Sequence, residues 1–347
     1  MRGGVLSWVV VLGVVAGCER TPAGSTSSQP AVGEVIIYTA LDRQFSEPIL
    51  NDFTARTGIV VRPAYDSEAT KTVGLTNRIR AEANRPRCDV FWNNEILNTL
   101  RLRNEGLLQP CAPAEAANYP PQFRDPDGYW FGFAARARVL IVNTELVPAE
   151  RMPTSIADLA DPQWKGRTGI AKPLFGTTAS HVACLFALHG KARATALLDS
   201  LRNNDVQVLS GNKGCAEMVG AGRLVMALTD TDDAIVELET GKPVKIVFPD
   251  GGADQMGTLL LPNTLALVKG CPNPEAGAQL INYLLSAEVE GRLAAGPSAQ
   301  IPLHRAATVP SRVGRLEALR TMPVDLTQAA DAFDAAAMYI EQRFLAP

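Results

Sequence analysis

The stretch FGFAARARVLIVNT, residues Phe131 to Thr144, decides the fold. It is long, rich in β-forming residues and carries no helical pattern, so it predicts an extended strand. A second stretch of this kind runs from Gly257 to Val268. Two long strands that cross between two halves of a chain would join them into a two-lobe protein with a hinged cleft.

Shorter segments alternate between strand and helix on both sides of the first crossing stretch. Before it, the pattern predicts strands at Val35–Thr39, Ile59–Arg62 and Asp89–Trp92, each followed by a helix. The same alternation resumes after it, from Gly169 onward. Short links between strands and helices predict right-handed crossovers and a mostly parallel sheet.

Local signals mark where two of the helices begin and end. Ser46 is a candidate N-cap, and Gly58 is a candidate stop for the first helix. Asn273 and Pro274 form a favourable N-cap and first-turn pair for a helix that runs to about Ala294.

These patterns predict the α/β class and a discontinuous two-lobe architecture. Lobe one is expected to cover residues 35–133 plus 257–347. Lobe two is expected to cover residues 134–256. The C-terminal helical segment would return to either lobe.

Composition excludes several classes of protein. The chain has 347 residues, of which 46% are hydrophobic and 20% charged, so it is not a disordered protein. The net charge is −3 and the basic residues are scattered, which excludes the electrostatic footprint of a nucleic-acid binder. The apolar run Val5–Ala16 is shorter than the roughly 20 residues of a membrane-spanning helix, which excludes a protein with several spans.

The first residues have the pattern of an export signal. Arg2 precedes the apolar run, and residues 1–18 together predict a signal peptide. The ending Val15-Ala16-Gly17-Cys18 resembles a bacterial lipobox, which implies a lipoprotein anchored to the membrane through Cys18, at the periplasmic or cell surface. A plain signal peptide with a chance cysteine is the alternative. Residues 19–34 are rich in small and polar residues and predict a flexible tether.

Export changes the interpretation of the remaining cysteines, because an oxidising compartment permits disulfides. The pairs nearest in sequence are Cys88 with Cys111 and Cys184 with Cys215, and Cys271 is left over. Each bond would close a loop and stabilise the folded state by roughly 3 kcal/mol. The alternative is that all five are small buried thiols.

Polar residues cluster directly after the predicted strands, where ligands bind in open α/β sheets. The candidate ligand-binding residues are Thr39, Asp42, Arg43, Glu95, Gly176, Thr177, Thr178, Asn212, Asp230, Asp232 and Asp233.

Part of this set is suited to an oxyanion. Gly176, Thr177 and Thr178 open a helix, so their backbone N–H groups and hydroxyls would face an anion. Asn212 would add an amide, and Arg43 would add a guanidinium fork. Ordinary helix capping and turn formation are the alternatives.

The acidic part of the set is suited to a cation. Asp232 and Asp233, with Glu95 as a further ligand, would hold a metal ion or an ammonium group. The alternative is a helix start, in which carboxylates stabilise the helix dipole and Thr229 forms a capping box with Asp232.

Six motifs appear in a characteristic order between about Val35 and His304. They are IIYTALDRQFSEPILNDFTARTGIVV, CDVFWNNE, FGFAARARVLIVNTELV, FGTTASH, GTLLLPNTLALVKG and PNPEAGAQLINYLLSAEVEG. With these motifs the chain resembles bacterial family 1 extracellular solute-binding proteins, nearest to the ferric-ion-binding branch. The resemblance implies the periplasmic-binding-protein type II fold and delivery of a ligand to an ABC importer. At the position of that branch's adjacent tyrosines, this chain has Asp232 and Asp233.

The ligand stays open between two classes. The first is a metal ion of the ferric type, held with a synergistic anion and carried as cargo, with no resident cofactor. The second is a small organic anion such as an aminophosphonate or a sugar phosphate. The expected partners are the importer's permease and ATPase, and the expected state is a monomer. A lipoprotein sensor or a hydrolase is a minority alternative, since the G-x-S-x-G, H-E-x-x-H and P-loop patterns are missing from the sequence.

Overall fold

The computed structural model describes residues 1, 3–4, 33–66, 73–309, 311–313 and 319–346. The predicted lipidation site Cys18 lies outside the described residues, as do nearly all of the predicted signal peptide and tether. A compact unit begins at Gly33. Within the described residues, no helix has both the length and the apolar character needed to cross a bilayer.

Helices and strands alternate through most of this unit. The helices are α1 (Arg43–Thr57), α2 (Val73–Ala81), α3 (Leu97–Asn104), α4 (Gly176–Asn203), α5 (Asn212–Gly220), α6 (Thr231–Glu239), α7 (Pro274–Leu284), α8 (Ala287–Ala295) and α9 (Leu326–Tyr339). The strands are β1 (Glu34–Thr39), β2 (Val60–Tyr65), β3 (Val90–Asn93), β4 (Leu108–Gln109), β5 (Phe131–Asn143), β6 (Thr168–Ala171), β7 (Gln207–Leu209), β8 (Met226–Asp230), β9 (Val244–Val247) and β10 (Leu260–Val268).

The sheet has two parallel groups of strands joined by two long antiparallel strands. Its order is β2-β1-β3-β10-β5-β8-β6-β7, with β4 beside β10 and β9 beside β5. β1 runs parallel to β2 and β3, and β6 runs parallel to β7 and β8. β5 and β10 run antiparallel to each other and to their other neighbours. The two crossing stretches of the sequence are therefore β5 and β10.

β5 changes partner halfway along its length. Its first part, Phe131 to Ala137, pairs with β10, and its second part, from Arg138 on, pairs with β8 and β9. All of its residues are buried, which is why the stretch is nearly continuous in apolar residues. The two arginines of this strand, Arg136 and Arg138, are therefore buried as well.

The C-terminal helix α9 packs against both α3 and α4. It thus contacts a helix from the first strand–helix alternation and a helix from the second.

Two predicted helix boundaries differ in the structure. α1 begins at Arg43, and the predicted cap Ser46 lies inside it, where its hydroxyl donates to the Leu41 and Asp42 carbonyls at 3.3 and 3.1 Å. Gly58 ends the helix as predicted, in the left-handed conformation at φ 74°.

The single helix predicted after Asn273 is two helices. α7 ends at Leu284, and Ser286 then caps α8 by accepting a hydrogen bond from the Val289 N–H at 3.3 Å. A serine within an apolar helical pattern provided this second start signal, because its hydroxyl competes for backbone hydrogen bonds.

The predicted disulfides are not present, since all five cysteines of the described unit carry free thiols. The Cys88 thiol donates to the Val90 carbonyl at 3.1 Å, and Cys184 and Cys215 are core residues of α4 and α5. Burial raises the pKa of Cys111 to about 11 and that of Cys215 to about 12. Sequence proximity failed as a guide because these cysteines pack as small apolar residues.

A buried carboxylate holds the segment of β5 at which the pairing with β10 is irregular. Glu290 of α8 accepts hydrogen bonds from the backbone N–H groups of Ala134, Leu303 and His304 at 2.6, 2.6 and 2.7 Å. Ala134 has φ 43°, a conformation that non-glycine residues rarely adopt. Burial raises the pKa of Glu290 to about 7, although the three backbone donors oppose this shift.

This raised pKa gives a testable pH dependence of stability. The native state keeps a proton on Glu290 that the unfolded chain releases near pH 4.5, so the free energy of unfolding is expected to fall as pH rises from 4.5 to about 7. The contribution is roughly 3 kcal/mol. Urea unfolding across this range should show a downward slope in the wild type that Glu290→Gln lacks. Parallel pH profiles of the two proteins would contradict the assignment.

Candidate functional site

Polar side chains from both parallel groups of strands converge on a cavity at the carboxyl ends of β1 and β8. Its volume is about 30 Å³, which is enough to hold a water molecule. Two cavities of about 440 and 470 Å³ share no residue with it. The lining residues are Leu41, Asp42, Phe45, Asn94, Arg136, Gly176, Thr177, Asn212, Asp230, Asp232 and Asp233.

The first turn of α4 opens onto this cavity. Gly176 begins the helix at φ 56°, a conformation that glycine adopts without strain. Its N-cap residue, Phe175, makes no side-chain capping bond, and the first N–H groups of a helix have no acceptor within the helix. These N–H groups and the positive end of the helix dipole are suited to an oxyanion.

Arg138 ties this turn to the sheet. It stands opposite Asp230 in the β5–β8 register, and its Nη1 donates to Asp230 Oδ1 at 2.7 Å. The same Nη1 lies 3.0 Å from both Thr177 Oγ1 and Asn212 Oδ1, while Nη2 lies 3.0 Å from Thr178 Oγ1. One buried guanidinium thus positions the starts of α4 and α5.

The Asp230 carboxylate accepts hydrogen bonds from several protein donors. Its Oδ2 accepts from Thr177 Oγ1 at 2.6 Å, Asn212 Nδ2 at 3.0 Å and Arg136 Nη1 at 3.3 Å. Burial alone would raise the pKa of this carboxyl, but Arg138, Arg136 and the Thr177 hydroxyl together hold it below its usual value. Asp230 is therefore ionised and organises the donors around it.

Arg136 reaches across the cavity. Its Nη1 lies 3.3 Å from Asp230 Oδ2 and 3.3 Å from Asp232 Oδ2. Its Nη2 donates to the backbone carbonyl of Asn94, which follows β3. Burial would lower the pKa of Arg136, but Asp232, Asp230 and Asp233 raise it, so the guanidinium stays charged.

Three aspartates at the end of β8 and the start of α6 lie close enough together to share a metal ion. Carboxylate oxygens of Asp230, Asp232 and Asp233 lie within 4.8 Å of one another. Asp42 lines the same cavity from the N-terminal end of α1. The three aspartates outweigh the charges of Arg136 and Arg138, so the group is net negative.

The capping-box alternative for Asp232 does not describe this segment. The N-cap of α6 is Asp230, which makes no side-chain capping bond. The hydroxyl of Thr229 donates to the Asn212 carbonyl at 2.9 Å. Asp232 and Asp233 lie in the first turn of α6, which favours acidic residues there in addition to any other role.

Residues 98–320 match the model of the family described as bacterial extracellular solute-binding protein. The chain belongs to this family. The resemblance inferred from the six motifs is thereby confirmed at the level of solute-binding proteins.

One relative and two solved structures illustrate what this solute-binding protein is similar to. Iron uptake protein A1 from Synechocystis sp. is 28% identical over 301 residues, which cover 83% of this chain and 82% of the relative. Iron-bound HitA from Pseudomonas aeruginosa aligns with a TM-score of 0.80 at 22% identity, covering 89% of this chain and 99% of that one. AfuA from Actinobacillus pleuropneumoniae, with exogenous fructose-6-phosphate bound, aligns with a TM-score of 0.80 at 21% identity, covering 90% and 99%. These alignments confirm the predicted periplasmic-binding-protein type II fold.

The structure of this solute-binding protein brings most of the sequence-predicted residues together. Thr178 joins the group through Arg138 and through Asn212 Oδ1, which its hydroxyl approaches at 3.3 Å. The predicted residues that line the cavity are Asp42, Gly176, Thr177, Asn212, Asp230, Asp232 and Asp233.

Two predicted residues lie elsewhere. Thr39 is buried, and its hydroxyl accepts a hydrogen bond from the Leu41 N–H at 3.2 Å. The exposed Arg43 side chain lies 3.9 Å from Glu47, and its guanidinium stacks 4.6 Å from the centre of the Tyr65 ring. Neither side chain lines the cavity, because each is held by a local contact.

Glu95, the third predicted metal ligand, caps α3. Its carboxylate accepts from the N–H groups of Leu97 and Asn98 at 2.7 and 3.0 Å, and from the Ser180 hydroxyl of α4 at 2.7 Å. It does not line the cavity. Its position directly after β3 predicts a binding role, but its two oxygens accept hydrogen bonds from the N–H groups that begin the following helix.

Sequence reasoning missed the two arginines. Arg136 and Arg138 alternate with apolar residues in β5, so they share one face of the strand. Charged side chains are almost never fully buried unless they are paired, so an A-R-A-R pattern inside an apolar strand indicates buried partners. Leu41 and Phe45 were also missed, and their residue types carry no comparable signal.

His181 supplies no proton-transfer group beside the cavity. It is buried in α4, and neither ring nitrogen has a hydrogen-bond partner among the described residues. Burial, and then the nearby Arg138 guanidinium, lower its pKa to about 3. The imidazole is therefore neutral at physiological pH.

Proposed function

We propose that this chain captures a metal ion of the ferric type, together with a small synergistic anion, for an ABC importer. The observation that carries the proposal is the convergence of three carboxylates within 4.8 Å beside the first turn of α4. One side of the cavity is suited to a cation and the other to an anion.

The cation half consists of Asp232 and Asp233 from α6, with Asp42 on the opposite wall. Hard metal ions prefer carboxylate oxygens, and the cavity of about 30 Å³ is large enough for a single metal ion. Asp230 is engaged by Arg138 and by the other donors around it, so we assign it to organising the site.

The anion half consists of the first N–H groups of α4, at Gly176 and Thr177. Arg138 and Asn212 fix the Thr177 hydroxyl, so the helix start is pre-organised. A small anion there would complete the metal's coordination and offset its charge. The iron-related names of the Synechocystis relative and of HitA support this assignment.

A second candidate ligand is a small organic anion, such as an aminophosphonate or a sugar phosphate. The buried guanidinium groups of Arg136 and Arg138 beside a helix N-terminus favour it, because phosphate groups prefer such donors. The fructose-6-phosphate in the AfuA structure is in line with it.

A thermal-shift panel separates the two candidates. Ferric citrate with phosphate is expected to raise the melting temperature by about 5 °C or more, since a ligand at many times its Kd stabilises only the native state. An aminophosphonate or fructose 6-phosphate alone should have a much smaller effect. The reverse order of these shifts would replace the metal assignment with the organic anion.

The importer's permease and ATPase are the proposed partners, and the chain itself performs no chemistry. Closure of the lobes, 35–133 plus 257–347 and 134–256, about β5 and β10 would trap the ligand. The chain is proposed to act as a monomer, without nucleic-acid partners.

We propose further that Cys18 is lipidated and anchors the protein. A multiply acylated cysteine holds a protein firmly at a membrane, whereas one acyl chain binds only marginally. Cys18→Ser is expected to move the protein from the membrane fraction to the soluble periplasmic fraction. Unchanged membrane association of this variant would argue for a different anchor.

A further inference from the structure

We propose that Arg136 couples anion binding to metal binding, by releasing the Asp232 carboxylate to the metal when an anion occupies the start of α4. This inference rests on the proposed function and assigns a regulatory role to a residue of the same cavity. Arg136 would act as a positioning residue for the cation half and as a contact for the anion.

The first observation is where the guanidinium lies. Arg136 Nη1 contacts Asp232 Oδ2 and Asp230 Oδ2 at 3.3 Å each. A metal ion at Asp232 would have to share that carboxylate with an existing positive charge. Close charge pairs of this kind couple strongly when they are buried, so Arg136 opposes the metal for as long as it stays there.

The second observation is how near the guanidinium is to the anion half. The oxygen that accepts from Arg136 Nη1, Asp230 Oδ2, also accepts from Thr177 Oγ1 at 2.6 Å. Arg136 and the first residues of α4 line the same cavity. A small rotation of the side chain would therefore bring the guanidinium from Asp232 to an anion held by the helix N–H groups.

The third observation is an unused donor. Arg136 Nε is buried and has no acceptor among the described residues, whereas Nη1 and Nη2 each donate to at least one oxygen. A buried N–H without an acceptor costs free energy, which an anion oxygen would recover. Arg136 can therefore donate one more hydrogen bond, and an oxygen of a bound anion would accept it.

Together these contacts describe a coupled pair of equilibria. Without an anion, Arg136 competes with the metal for Asp232. With an anion, Arg136 turns toward it and no longer contacts Asp232 Oδ2. Coupling of this kind is reciprocal, so the metal strengthens anion binding by the same factor.

Terbium(III) luminescence tests the inference, with sulfate as the oxyanion and sodium chloride holding the ionic strength constant. Terbium(III) is a hard trivalent ion that stays dissolved without a chelator at mildly acidic pH. In the wild type, sulfate is expected to tighten terbium binding by about tenfold, within the usual range of coupling between sites. In Arg136→Gln, terbium should bind about tenfold more tightly without sulfate, and sulfate should add little.

Two further variants keep the test interpretable. Arg80→Gln removes an arginine of α2 that lies away from the cavity and pairs with Glu105 at 2.7 Å. This variant should behave as the wild type. Arg136→Lys keeps a positive charge and should keep part of the sulfate effect. Thermal unfolding of each variant identifies any that fail to fold, and Arg136→Lys then carries the comparison.

Three outcomes overturn the inference alone: no sulfate effect in the wild type, an equal sulfate effect in Arg136→Gln, or weaker terbium binding by Arg136→Gln without sulfate. A wild type that binds no hard metal ion overturns the proposed function, and the inference with it. The two failures are therefore distinguishable in one titration series.

Discussion

The Asp232→Asn, Asp233→Asn double variant is expected to lose binding of ferric ion altogether. Both carboxylates lie in the first turn of α6 and line the cavity, and hard cations depend on charged oxygen ligands. Asparagine keeps the size of the side chain and is tolerated at a helix start, and Arg136 keeps Asp230 as its counter-charge, so stability should fall only modestly. Equilibrium dialysis with ferric citrate and phosphate measures the loss.

The matched control for this variant is Asp331→Asn with Asp334→Asn. It removes two carboxylates from the exposed face of α9, away from the cavity, and should leave metal binding unchanged. A loss of roughly 2–5 kcal/mol in the affinity for an aminophosphonate, with no metal effect, would instead identify the aspartates as partners of a ligand ammonium group. If the double variant binds every ligand as the wild type does, the two aspartates only stabilise the start of α6.

Arg138→Leu is expected to destabilise the protein by about 3–5 kcal/mol. The change leaves the buried Asp230 carboxylate without its nearest counter-charge and removes the donor to Thr177, Thr178 and Asn212. Urea unfolding monitored by tryptophan fluorescence measures the change in the free energy of unfolding.

A second substitution tests the cause. Adding Asp230→Asn to Arg138→Leu removes the uncompensated charge and should restore part of the lost stability. Arg80→Leu breaks a more exposed ion pair, with Glu105, and should cost at most about 1 kcal/mol. A small effect of Arg138→Leu, similar to that of Arg80→Leu, would contradict the central structural role of this arginine.

Much of the fold was accessible from the sequence because its strands obey simple burial rules. Both faces of β5 and β10 are covered, so their residues form nearly continuous apolar runs that no helix pattern interrupts. The short strands β4 and β9 were missed, since β4 has only two residues and β9 is partly exposed. Such segments carry little hydrophobic pattern and are defined by their neighbours.

The candidate site was accessible only in part, for a related reason. Polar residues after strands, such as Gly176 and Asp232, lie at the sheet edge by topology, and the structure places both in the cavity. Whether a carboxylate is available depends on contacts that are distant in sequence. Glu95 is satisfied by the helix that follows it and by Ser180, and Asp230 by Arg138 and Thr177. These partners could not be assigned before the register of β5 against β8 was known.

The most direct test of metal capture is the iron content of the purified protein after loading. The protein is incubated with ferric citrate and phosphate, freed of unbound iron by gel filtration, and analysed for iron by elemental analysis. We expect about one iron per chain in the wild type, as for a single carboxylate-lined site. Iron-free wild-type protein from this procedure, which binds an aminophosphonate or a sugar phosphate instead, would contradict the proposal that the ligand is a metal ion.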